Sequence, residues 1–554
     1  HTGAFAAVIA LSRFGWREID LLALVPRVAN ILRPVESFAS SGAMTQWNDL
    51  HLASLRRGFR AHIARRGVLG QVNFFHTQVG EVVRHRYLTA ADLERRIHSA
   101  IADYLLALPR NDILRECETM FHLIGADDRT RAARFYADRA TPFDMVSEVT
   151  RTVAHHILKS DETESGLTWV LSLLENNSLD RDDILRLCTH FQEGLNEALE
   201  KVAPLDLRSR FLESVRTVLE RLAAQDPNNL PVLGILSESD DRIGDVLLLQ
   251  ANLSEALKTY RRALAARQKL VAADPSNGVW QSLLSISHLN VGDVLRGEGD
   301  LSWALAAYRS ALAGAEQAVV SGQDDVLSRM QLFKCQSRIG DMLLLLRKLP
   351  ESQLSYRNAL ETSKFLKQYP GGDERLLLCH RQLGDVLLAQ GDVAGALNEY
   401  LASLAIGRSL ASADPSDQGH QQELAACYGK VGIALQAKND FIAALEQARL
   451  CLRICENLVA TDPTNAAWQR NLYRSYCLVA QCAEATGGCS PAEYWQRARK
   501  VTADMKRRGM SIPREMEANN IWIATRISEM PVSVRFLKNF YRILFSILKP
   551  FKGT

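Results

Sequence analysis

The stretch RIGDVLLLQANLSEALKTYRRAL, residues 242–264, returns as NVGDVLRGEGDLSWALAAYRSAL at 290–312, RIGDMLLLLRKLPESQLSYRNAL at 338–360 and QLGDVLLAQGDVAGALNEYLASL at 382–404. A weaker copy, KVGIALQAKNDFIAALEQARLCL, occupies 430–452. The marker glycines are Gly244, Gly292, Gly340, Gly384 and Gly432, spaced 48, 48, 44 and 48 residues apart. Asp-Pro pairs beginning at Asp226, Asp274, Asp414 and Asp462 keep the same phase, and a degenerate sixth unit puts Ala480 at the glycine position. Self-similarity at a fixed period is the mark of a repeat array, in which each unit buries its apolar face only by stacking on its neighbours.

Each unit reads as two helices. In Asp274-Pro275-Ser276-Asn277 a turn leads to a residue whose side chain can accept from the free amides of a helix start. The first helix then runs for about 20 residues and stops at Gly299-Asp300, Gly391-Asp392 or Asn439-Asp440, residue types that tolerate the left-handed cap conformation. The second helix carries Ala at +12, Tyr at +16 and Ala at +19 from the marker, complete in the units of Gly244 and Gly292 and partial later.

That spacing of Gly, Ala, Tyr and Ala resembles the tetratricopeptide repeat. The usual period is ~34, so each helix here is longer by about two turns. The resemblance implies an α-α superhelix that binds a protein partner on its concave face. Asp245, Asp293, Asp341 and Asp385 each follow the marker glycine, where the family has a concave-facing position. One reading makes them an acidic ladder for a partner. The other is local pairing, because Arg242 and Arg338 lie three residues upstream on the same helices.

A chain of 554 residues is long enough for two to four domains. Its net charge of +3 argues for neither a nucleic-acid binder nor an acidic tail. The ten cysteines form no CxxC pair and no zinc-type spacing. Cys335, Cys379 and Cys427 each precede a marker glycine by five residues and read as small buried hydrophobes. Cys451 and Cys455 share a helical face, where packing is the ordinary role and a metal the rarer one. This usage fits a reducing cytoplasm.

The N-terminal third carries FAAVIALS and EIDLLALV separated by RFGWR, then WNDLHLASLRRGFRAHI at 47–63 and the glycine-flanked ARRGVLGQVNFF, which reads as a β-hairpin. Three helices and a hairpin predict a small winged helix. Its arginines Arg56, Arg57, Arg60, Arg65 and Arg66 would suit DNA, but fold does not settle function. The order ALSRFGWREIDLLALV, FFHTQVGEVVRHRYL, RRIHSAIADYLLALP and CETMFHLIGADD, over about residues 4–135, resembles the region after the nucleotide-binding core of NACHT-type STAND NTPases. Phe74, His76 and Glu81 match the family's Phe-x-His segment with its following Glu, whereas Val79 and Gly80 depart from it. The resemblance implies that His76 contacts the β-phosphate of ADP, with ATP or ADP held by an upstream domain. A core or surface histidine without ligand is the competing reading. His1 opens the chain without a methionine, and we read the sequence as a fragment lacking its N-terminal part.

No P-loop, GxSxG or HExxH is present, so this chain is expected not to be an enzyme. No apolar run approaches the ~18 residues of a membrane span. The expected organisation is a winged helix at 1–110, a helical arm at 111–225, about six repeats at 226–500 and C-terminal helices at 501–554. The basic segment 532–552 reads either as a cap on the last repeat or as a helix lying on a membrane. The expected function is the ligand-sensing portion of a STAND signalling NTPase, bacterial and of the defence or signalling kind, with oligomerisation of the longer protein. The alternative is a free-standing tetratricopeptide scaffold. No nucleic-acid partner is expected.

Overall fold

The structure is a computed structural model describing residues 1–529 apart from 33–46, 61–62, 67–70, 75–76, 89, 139–145, 159–162, 177, 201, 321–325 and 488–490. The fold is mainly α, of the α-α superhelix class, with one two-stranded antiparallel hairpin among the described residues. The chain divides into two compact units, His1–Ala272 and Ala273–Thr554.

The first unit opens with α1 (Thr2–Ala10), α2 (Glu18–Ile31) and α3 (Asp49–Gly58), followed by β1 (Ile63–Arg66), β2 (Gln71–Phe74) and α4 (Thr77–Tyr87). The hairpin pairs Ile63 with Phe74 and Arg66 with Gln71. A third segment joins it: Trp16 exchanges both backbone hydrogen bonds with Val72, at 3.1 and 2.8 Å. The turn before Trp16 needs Gly15, whose φ is +92° and where a Cβ would lie 2.7 Å from the Val72 carbonyl oxygen. The Trp16 indole is fully buried and donates to the Val8 carbonyl at 2.8 Å, so α1, the turn and the hairpin share one apolar core.

Helices α5 (Ala91–Ala107), α6 (Ile113–Gly125), α7 (Arg129–Ala137), α8 (Val146–Leu158), α9 (Thr163–Ser172) and α10 (Arg181–His190) follow. A π-helical turn, Phe191–Leu195, leads into α11 (Asn196–Glu200), and α12 (Leu205–Gln225) closes this second core. Residues 111–225, expected as a helical arm, hold the helices α6 to α12. The first repeat, α13 (Leu230–Leu249) and α14 (Leu253–Ala273), ends the unit.

The second unit continues with α15 (Gly278–Glu298), α16 (Leu301–Val320), α17 (Val326–Leu345), α18 (Leu349–Phe365), α19 (Gly372–Gln390), α20 (Val393–Ala413), α21 (Gln418–Ala437), α22 (Phe441–Thr461), α23 (Ala466–Thr486), α24 (Pro491–Arg507) and α25 (Arg514–Glu529). Consecutive helices pack against each other throughout. The Asp-Pro turns work as the sequence implies. Asp274, Asp414 and Asp462 accept from the amide and hydroxyl of Ser276, Ser416 and Thr464, and the next helix is capped by Asn277, Asp417 or Asn465. The third repeat lacks this turn. A 3-10 turn, Leu366–Gln368, and Gly371 at φ +75° shorten the connection.

First helices end seven residues after the marker in a left-handed residue in all five repeats: Ala251, Gly299, Arg347, Gly391 and Asn439. Glycine and asparagine announce three of these ends; alanine and arginine do not. At the far end Trp495, Met505, Met516 and Ile523 of α24 and α25 join the core of the last repeats. The basic segment 532–552 lies outside the described residues. No described helix is long and apolar enough to cross a membrane.

Candidate functional site

The repeats are held by a clasp built from the marker dipeptide and the tyrosine of the second helix. Tyr260, Tyr308, Tyr356 and Tyr400 are buried, each with its ring over its own marker glycine. A Cβ would lie 2.6 Å from the ring at Gly244 and Gly292 and 2.5 Å at Gly340, so any side chain there displaces the ring. Each phenol then donates to the aspartate that follows the glycine: Tyr260 to Asp245, Tyr308 to Asp293 and Tyr356 to Asp341 at 2.6 Å, and Tyr400 to Asp385 at 2.5 Å. Burial comes first among the causes that hold the phenols of Tyr308, Tyr356 and Tyr400 above their ordinary range, reinforced by the carboxylate each one faces.

Three of these carboxylates reach the next repeat. Asp293 pairs with Arg338 at 3.3 Å, Asp341 accepts from Gln382 at 3.1 Å, and Asp385 pairs with Lys430 at 2.7 Å. These donors all stand two residues before a marker glycine. Arg338 thus bonds the aspartate one repeat back, while a local pair joins Asp293 to Arg296 at 3.5 Å. Every one of these bonds uses Oδ1. Among the described residues no hydrogen bond goes to Oδ2 of Asp245, Asp293, Asp341 or Asp385. The side chains of Asp293 and Asp385 remain about 30% exposed. Burial pushes the Asp341 carboxyl up, against the pull of Tyr356 and Arg338.

A row of small polar groups runs five residues before the markers: Ser239, Ser287, Cys335, Cys379, Cys427 and, in the sixth unit, Ser475, all buried. Burial pushes the thiols of Cys335 and Cys379 up to about 12, so they stay neutral fillers. Cys451 and Cys455 are buried too, and hydrogen bonding to Cys455 with burial raises the Cys451 thiol. Both line a cavity of about 170 Å³ between α21, α22 and α23.

In the first unit His76 lies outside the described residues. Phe74, two residues before it, is buried at the end of β2, and Glu81 is exposed on α4. Arg56 of the basic cluster pairs with Glu18. The sequence reading missed Glu118. This fully buried carboxylate of α6 accepts from Ser12 Oγ at 2.7 Å and from the amides of Arg13 and Phe14 at 2.9 and 2.8 Å, so it grips the α1–α2 turn. Burial nevertheless raises its pKa. Beside it His98 and His122 share a hydrogen bond at 2.9 Å between their Nδ1 atoms, so at least one ring is neutral. Burial lowers both, His98 to about 4, with Arg84 adding to the effect on His98.

A model of the tetratricopeptide repeat family matches residues 424–463, the helices on either side of Asn439. None of the curated proteins matches the chain. Among solved structures, BtubC (BKLC) from P. vanneervenii is 21% identical over 46% of this chain and 92% of that one, with a TM-score of 0.37. A STAND protein with a tetratricopeptide repeat sensor from Pyrococcus horikoshii is 12% identical, covering 84% of this chain and 65% of that one, with a TM-score of 0.40. The apo form of RapI is 14% identical, covering 65% and 87%, with a TM-score of 0.43.

Proposed function

We propose that this chain is the ligand-sensing and regulatory portion of a STAND signalling NTPase, acting in the cytoplasm, and that its tetratricopeptide-like array binds a protein partner. The observation that supports the sensor reading is the element order in the first unit. Three helices and a hairpin joined by the Trp16–Val72 bridge follow the pattern of a winged helix, and a run of helices leads from it into the array. On this reading His76 touches ADP held by an upstream nucleotide-binding domain and keeps the protein closed. A partner on the ladder face favours a geometry incompatible with that closed form, because a ligand shifts an equilibrium only through differential affinity for its two states. Opening then allows nucleotide exchange and oligomerisation, a scheme suited to bacterial defence or signalling. The free Oδ2 atoms of Asp245, Asp293, Asp341 and Asp385 suit a partner carrying amide or cationic donors, since the structural bonds leave that oxygen unused.

The test begins with the reading frame upstream of His1, where a P-loop and a Walker B aspartate are expected. In the longer protein, His76→Leu should lower the ADP that co-purifies and raise activity in the absence of partner. Normal ADP retention with a silent mutant would make His76 a structural residue. A free-standing scaffold is the second reading, supported by the repeat-family match at residues 424–463 of the array. A frame without nucleotide-binding motifs would decide for it.

A further inference from the structure

One repeat departs from the others at the face that carries the aspartates. After Gly432 comes Ile433, 40% exposed, where four repeats have Asp, and the tyrosine position is Ala448. The clasp is therefore missing as a whole. On the same helix, α21, Ala425, Ala426 and Gly429 stand where the preceding repeat has Leu377, Leu378 and Arg381, and the one before it Phe333, Lys334 and Ser337. Removing those side chains opens the cavity of about 170 Å³ over Cys451 and Cys455. Its volume is close to the ~150 Å³ of an apolar cavity that holds one benzene, and well below the ~300–1,000 Å³ of a pocket for a drug-sized molecule. It has room for one aliphatic side chain.

The border of the cavity is cationic. Arg474 of α23 is exposed and pairs with no acidic side chain among the described residues, and Lys430 stands on the opposite helix, held at 2.7 Å by Asp385. Among the described residues no carboxylate lines the opening. An apolar hole beside an unneutralised guanidinium is complementary to an aliphatic group next to a carboxylate, which Arg binds with two parallel hydrogen bonds.

We propose that this cavity is the anchoring subsite of the array, taking a Val, Ile or Leu side chain of a partner segment whose neighbouring Asp or Glu is bound by Arg474. The proposal rests on the reading of the array as a protein-binding surface and names the chemistry of what it binds.

The test uses the full chain and a positional-scanning library of fluorescein-labelled octapeptides with blocked termini, read by fluorescence polarisation. Peptides with Asp or Glu within two positions of Val, Ile or Leu should be enriched. Their binding should fall at least tenfold in Arg474→Glu and in Gly429→Leu. A Cβ at position 429 meets only Cys451 Sγ, at 3.5 Å, so the leucine enters the cavity without a backbone clash. Circular dichroism and the melting temperature confirm folding. Arg474→Glu, at an exposed helical position, carries the test alone if the leucine variant does not fold. A motif whose binding survives Arg474→Glu overturns the cavity while leaving the array a peptide-binding surface. The absence of any selection by the wild-type chain overturns both.

Discussion

Tyr356→Phe isolates the clasp from the packing around it. The phenylalanine ring still fills the space over Gly340, so only the hydroxyl is lost, and with it the 2.6 Å bond to Asp341. A hydrogen bond to a charged group is worth about 1.5–3 kcal/mol net. Asp341 keeps Gln382 at 3.1 Å, which places the loss at the lower end, about 1.5–2 kcal/mol. The assay is urea denaturation of the full chain by circular dichroism, with hydrogen exchange reporting on α17 and α18. The second probe matters because stability in a repeat array is a sum of local and neighbour terms and need not be two-state. Exchange in α17 and α18 should quicken while α23 is unchanged. A cycle with Asp341→Asn should give a coupling of about 1 kcal/mol, as expected for groups in direct contact. A coupling below about 0.3 kcal/mol, within the additivity of unconnected sites, with unaltered exchange in α17, would refute the clasp and leave the aspartates as an external ladder only.

Gly340→Ala should destabilise by about 1 kcal/mol, since overpacking of about 1–3 kcal/mol exceeds the ~1 kcal/mol gain in helix propensity; the loss should vanish in a Tyr356→Ala background. Arg347→Gly should instead raise the urea midpoint by the equivalent of about 0.5–1 kcal/mol, because Arg347 holds φ +60° at a position where two sister repeats have glycine. Lowering the pH should weaken the first unit. His98 is neutral when buried, with a pKa lowered from 6.5 to about 4, so its stabilising contribution is full above pH 6.5 and is lost as pH falls through about 4. The shift corresponds to roughly 3 kcal/mol. Hydrogen exchange in α5 and α6 should accelerate over that window, and a profile unchanged by His98→Leu would show that this ring does not set it.

The sequence by itself determined the repeat. Period, helix starts and most helix ends are local properties: Asn277 and Asp417 cap through their own side chains, and Gly299 and Gly391 stop helices because they lack a Cβ. The pairing of marker glycine with tyrosine was legible too, since a small and a large residue recurring sixteen apart describe one contact repeated. What the tertiary structure decided is where charges go. Spacing along a helix suggested Arg338 for Asp341, yet Arg338 bonds Asp293, 45 residues back, because stacking of hairpins brings a first helix closer to its neighbour's carboxylate than helix periodicity can indicate. Glu118 closing the α1–α2 turn, over a hundred residues away, was hidden for the same reason. The left-handed Ala251 and Arg347 bear no local signature, being imposed by the turn that their repeats share with those of glycine. The cavity at α21 exists only as side chains that are absent, and a missing volume becomes visible when the neighbours that would have filled it are in place.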